Sequence, residues 1–166
     1  MKQAVSVVEA DLVKAYKSEV AGVQLFKGLL WLQSTEHQQL CSLLILLEQQ
    51  TQAGLLDLLQ RRQIRAGSLL FSKVGGFSYG FALACLPWKL SLRVLMHSAD
   101  PYLHLFRRLQ AQSAPEDHEF LTYLVAHEEA LLSFLQQEIN GDSEPAVRQI
   151  RGMMRKSVDP QPAKIS

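Results

Sequence analysis

At 166 residues and 18.7 kDa the chain is the size of one domain with a full apolar core, and its apolar fraction of 48% is high for a soluble protein. A net charge of +1 gives no electrostatic case for nucleic acid. Cys41 and Cys85 form neither a metal-site spacing nor a disulfide framework, and MKQAVSVVEADLVKAYK lacks the apolar run of a secretory leader; a reducing, cytoplasmic setting is the default expectation.

The periodicity is helical almost throughout, and the expected fold class is all-α. The first helix is predicted over about 7–33. Its stripe of Leu12, Tyr16, Val23, Phe26 and Leu30 is apolar except for Glu19. Ser34 and Thr35 break the pattern, and Thr35 with Gln38 has the spacing of a capping box for a second helix over 36–63. That helix carries Leu40, Leu44, Leu55 and Leu58 with Glu48 among them, and Cys41 reads as a buried thiol. Arg61, Arg62 and Arg65 read as a solvated helix end.

The segment 68–87, SLLFSKVGGFSYGFALACLP, is expected to be a short helix, a glycine turn and a second apolar helical piece. It would form the crossover of a bundle; its uncharged run, 74–88, is too short and too broken to span a membrane. A third long helix is predicted over 88–112, interrupted at Pro101, with Asp100 between Met96 and Leu103. The fourth, over 116–140, pairs Leu121, Leu124, Leu131 and Leu135 with Glu128 and stops at Asn140-Gly141. A short final helix over 144–156 is expected to pack across the crossover. Residues 158–166 are expected to be a flexible tail, leaving one domain over 1–157.

One acidic residue thus stands on the apolar stripe of each of four helices: Glu19, Glu48, Asp100 and Glu128. Burying a carboxylate is costly unless it is paired, protonated or metal-bound. Two-metal carboxylate bundles use one Glu from each of two helices and a Glu-x-x-His pair from each of the others. Three residues beyond Glu48 and Glu128 stand Thr51, able to hydrogen-bond or bind weakly, and Leu131, which cannot bind. His104, one turn beyond Asp100, is a substitute ligand. Asp100 before Pro101 reads equally as a helix N-cap. His127 and Glu129 flank Glu128 and point elsewhere on the helix, so both are expected to be solvated or at a helix contact.

The motifs SEVAG around Glu19, LLEQQT around Glu48, GGFSYGFALA over 75–84 and AHEEALLSF around Glu128 resemble the ferritin-like superfamily, and within it the demethoxyubiquinone hydroxylases. The separations of Glu19, Glu48 and Asp100 are similar to that family's first three ligand positions, and Glu128 lies opposite its last. The resemblance spans roughly 15–135. It implies a ferritin-like four-helix bundle with a di-iron or di-manganese centre that activates oxygen for hydroxylation, in the family of a quinone ring at a membrane surface. The site residues it implies here, with His104 added, are Glu19, Glu48, Asp100, His104 and Glu128, holding iron or manganese beside an apolar small molecule.

Two other readings stand beside it. The carboxylates could form a structural polar network, with Tyr16, Tyr102 and Tyr123 as donors. Alternatively, the chain could be a non-catalytic interaction or lipid-binding module, in which Phe71, Phe77, Tyr79, Phe81 and Trp88 meet a membrane surface or a protein partner instead of capping the core. A homo-oligomer is compatible with each.

Overall fold

The computed structural model describes residues 7–158. Every regular element among them is helical: α1 (Val7–Leu29, followed by a 3-10 turn Leu30–Leu32), α2 (Thr35–Arg61), α3 (Leu70–Ala84), α4 (Trp88–Ala111), α5 (His118–Asn140, preceded by a 3-10 turn Pro115–Asp117) and α6 (Glu144–Val158). The expected tail lies outside the described residues apart from Val158, which belongs to α6.

Local chemistry sets most of these boundaries. The cap of α2 is Ser34, whose hydroxyl accepts from the His37 N–H at 3.4 Å. Thr35 is therefore the first helical residue and not the predicted cap, and Gln38 reaches back to the Gln33 carbonyl instead (3.1 Å). Gly141, at φ +86°, ends α5 in the left-handed region.

Two expected breaks are absent. α3 runs unbroken through Gly75 and Gly76 because its glycines serve packing rather than a turn. A Cβ on Gly76 or Gly80 would collide with the backbone of Ala21 or Leu25, so these residues let α3 lie directly on α1. Glycine in a helix interior costs up to about 1 kcal/mol relative to alanine, and close backbone approach offsets it. α4 likewise continues through Pro101. The proline removes one backbone donor, but at a place where His97 and Asp100 face water and the freed carbonyl can be hydrated. Asp100 is thus a mid-helix residue and not a cap.

α1 packs on α2 and α4, and α5 packs on the same two, so the four long helices close a ring. α1 and α2 are antiparallel, as expected: Thr51 meets Glu19 and Glu48 meets Gly22. α3 then carries the chain back alongside α1, parallel to it, so that α4 runs antiparallel to α1, with Arg108 bonded to Asp11 (2.8 Å). α6 packs on α5 and α2 rather than across α3 as expected, seating Ala146 and Ile150.

The interior consists of two apolar clusters. One gathers Phe26, Leu44, Leu92 and Phe134; the other gathers Leu12, Leu58, Phe106 and Leu124. Between them, at the middle of the ring, α1, α2 and α5 each place polar side chains. Outside that layer one more carboxylate is buried among the described residues: Asp117, bonded by Arg61 (3.0 Å) and Arg62 (2.8 Å) from the end of α2. Two of the three arginines expected to be merely solvated therefore fasten α2 to the start of α5.

Candidate metal centre

The middle layer contains Glu19 from α1, Glu48 and Thr51 from α2, and His127 and Glu128 from α5, all buried. Glu19, Glu48 and His127 each offer a ligand atom within 4.8 Å of the other two. The imidazole lies between the carboxylates, with Nδ1 3.8 Å from Glu19 Oε2 and Nε2 3.5 Å from Glu48 Oε1. Neither ring nitrogen makes a hydrogen bond among the described residues, although His127 is 0% exposed. The Thr51 hydroxyl donates to Glu19 Oε2.

The shape of α1 supports this arrangement. The Glu48 carboxylate lies against Gly22, where any Cβ would occupy the space of its oxygens. The glycine of SEVAG therefore makes room for a carboxylate from the neighbouring helix.

No lysine or arginine pairs with these groups among the described residues, and their protonation follows from burial. Desolvation pushes Glu19 up to about 8 despite the opposing bond from Thr51, and pushes Glu128 up to about 8 with help from the charge of Glu19. Glu48 is raised by burial first, then by Glu19 and Glu128. Burial holds the His127 imidazole neutral, down to about 3. Tyr123, half-buried nearby, is raised by desolvation and by Glu19. Without a cation, burial thus favours the protonated form of each acid and the neutral form of the imidazole.

That arrangement fits a divalent ion. Neutral imidazole and carboxylate oxygens are ligands of iron and manganese, and a metal-bound histidine ordinarily directs its second nitrogen to a carboxylate or carbonyl. An ion would satisfy one orphaned nitrogen of His127 and hold the carboxylates ionised.

Above the layer lies a cavity of about 400 Å³ between α1, α3, α4 and α5. Glu19, Glu48 and Glu128 form its floor; Phe71, Tyr79 and Tyr102 stand at its mouth, and its walls are mostly apolar. The Tyr79 and Ser98 hydroxyls, 2.8 Å apart, join α3 to α4 there. The aromatic segment divides: Phe77 packs edge-on to Trp31 and Trp88 stacks on His37, while Phe71, Tyr79 and Phe81 are exposed, Phe71 by 87%.

Of the five residues expected to hold metal, the structure brings together Glu19, Glu48 and Glu128. Asp100 and His104 are not brought to them. They lie on the outside of α4, 3.8 Å from each other, with side chains 67% and 70% exposed. The buried stripe of α4 passes through Leu95 and Leu103 and turns Ala99 towards the cavity; Asp100, about 100° further round, faces water.

Periodicity sets His127 aside, because three consecutive residues, His127, Glu128 and Glu129, cannot all face one site. α5 is packed by α2, α4 and α6 and buries a wide arc, so His127 and Glu128 are both interior, while Glu129 pairs with Arg107 at the surface. A signal was present: Phe120, Tyr123, His127, Ala130 and Phe134 form a second helical row that is apolar except for Tyr123 at its polar tip and the histidine.

No protein-family model, curated protein or solved structure matches the chain. The resemblance to demethoxyubiquinone hydroxylases rests on the quoted motifs alone.

Proposed function

We propose that this is a ferritin-like carboxylate-bundle protein that holds iron or manganese in its middle layer and works as an oxygenase or hydroxylase on an apolar small molecule. The observation that carries the reading is His127: a fully buried imidazole, both nitrogens without a hydrogen bond, set between two buried glutamates. A buried polar group left unsatisfied costs about 1–3 kcal/mol, and a metal ion removes that cost. Glu19, Glu48 and His127 would hold the ion, with Thr51 orienting Glu19. The ion would supply redox chemistry with dioxygen. The apolar walls would keep water from the reacting face, and the carboxyl of Glu128, on the cavity floor outside the ligand group, would hold a proton beside the substrate.

The test is metal analysis of protein reconstituted anaerobically with iron(II) or manganese(II). Retention of metal by the parent chain and by Glu144→Ala, with loss in Glu48→Ala and His127→Ala, is the expected outcome. Less than a tenth of an equivalent in the parent would end the reading.

A second reading, docking to a lipid surface, is supported by the outer face of α3. Leu70, Phe71, Val74 and Phe81 are exposed there. No acidic residue occurs between Asp57 and Asp100, and beyond Arg61 and Arg62, which pair with Asp117, the stretch carries Arg65, Lys73, Lys89 and Arg93. An apolar face with basic neighbours suits an anionic bilayer. Sedimentation with phosphatidylglycerol vesicles, lost in Phe71→Glu and absent with phosphatidylcholine, is the expected result.

A further inference from the structure

Resting on the metal reading above, we infer that the centre is built for one ion, held by Glu19, Glu48 and His127, and that Thr51, standing where a second imidazole would be, is the positioning residue that orients Glu19. Two-ion carboxylate bundles supply an imidazole for each metal from Glu-x-x-His pairs. Only one of this chain's five histidines reaches the layer. His37 stacks on Trp88, His97 is exposed, His104 faces Asp100 at the surface, and His118 bonds Ser113 at 2.8 Å. The two positions that would complete Glu-x-x-His pairs are both interior: Thr51 is fully buried, and Leu131 lines the cavity.

Thr51 does more than leave a histidine out. Its hydroxyl has one proton and three acceptors in reach: Glu19 Oε2, the Glu48 carbonyl at 3.0 Å and the Leu47 carbonyl at 3.4 Å. The hydroxyl sits beside the two carbonyls of its own helix and donates its proton to Glu19 Oε2, the same oxygen that faces His127 Nδ1. That bond holds the Glu19 carboxylate in one orientation towards the imidazole. His127 is a ligand for one ion, since a neutral imidazole keeps a proton on one nitrogen and offers only the other to a metal. Three donors from three helices, one of them oriented by a fourth side chain, would hold the ion, and two of them, Glu19 and Glu48, line the cavity.

Anaerobic titration of chelator-stripped, full-length protein with manganese(II), read by metal retention and by electron paramagnetic resonance, decides this. The expected end point is one equivalent per chain, with the six-line hyperfine pattern of an isolated ion. Two equivalents with a spin-coupled spectrum would overturn the inference and leave the metal reading standing. No binding at all would overturn both. Thr51→Val should bind the ion about 10- to 100-fold more weakly, the usual effect of removing a ligand's supporting hydrogen bond, and broaden the six-line spectrum as Glu19 loses its fixed orientation. Thr51→Ser, which keeps the hydroxyl, should restore both readouts. Unchanged affinity and spectrum in a Thr51→Val protein with parental helicity would remove Thr51 from the role. Should Thr51→Val fail to fold, Thr51→Ser decides instead: parental affinity and spectrum support the role, and a loss as large as that of Glu48→Ala overturns it.

Discussion

Asp117 and the middle layer are both buried acid sites, and they solve the same problem in opposite ways. Asp117, 1% exposed, receives Arg61 and Arg62, whose outer atoms remain in water. Among the described residues Glu19, Glu48 and Glu128 receive no lysine or arginine; burial favours their protonated forms, and the imidazole between Glu19 and Glu48 makes no hydrogen bond. The first arrangement is complete as it stands and fastens two helices. The second is incomplete in the way that a ligand would complete. A buried carboxylate alone therefore says little about function, and the partners it lacks say more.

The sharpest test of the contrast is pH. Glu19 and Glu128 rise from an ordinary 4.5 to about 8, so the folded chain keeps protons that the unfolded chain releases. Their stabilising contribution is complete below pH 4.5 and is lost as pH rises to about 8. His127, lowered from 6.5 to about 3, acts oppositely between those values, because the unfolded chain takes up a proton that the folded chain does not. Metal-free protein should therefore lose stability most steeply between pH 6.5 and 8, where the imidazole no longer offsets the acids. The total loss from pH 5 to 8 contributed by these three groups should be on the order of 5 kcal/mol, the two acids losing about 7 between them and the imidazole offsetting about 2. Denaturant melts in chelator will measure it. With manganese present the slope should flatten or reverse, since the ion favours the ionised acids. Identical slopes with and without chelator would mean that the layer is as self-sufficient as Asp117.

Asp117→Ala should come next, lowering stability by about 2 kcal/mol. That is below the usual 3–5 kcal/mol for breaking a buried pair, because the two arginines keep much of their hydration. It should leave metal affinity unchanged, as measured by the same melts and a metal titration.

Gly22→Ala places a methyl where the Glu48 carboxylate lies. Metal affinity should fall about tenfold, roughly 1.4 kcal/mol, by isothermal titration. The metal-free fold should change less, since the displaced acid can turn into the cavity. Smallest of all is the surface counterpart of the site. Asp100→Ala and His104→Ala should each alter stability by less than about 0.5 kcal/mol, as exposed ion pairs do, and should not change metal retention. A loss of metal in either would contradict their placement outside the ring.

The helices were legible in the chain because they follow from local rules. Apolar residues recur at helical spacing, Gly141 provides a left-handed stop, and the stripes of α1, α2 and α5 carry Glu19, Glu48 and Glu128 inward just where periodicity puts them. What sequence could not decide were matters of partnership between helices. Gly75, Gly76 and Pro101 read as breaks, since local propensity disfavours them, yet contact with α1 and exposure to water let both helices continue. Asp100 and His127 exchanged places for a similar reason. Periodicity gives the direction of a side chain relative to its own helix, whereas burial depends on how many neighbours pack around that helix. α4 leaves Asp100 on its open side, and α5, enclosed on several sides, buries His127 between two glutamates that lie 79 and 108 positions earlier in the chain.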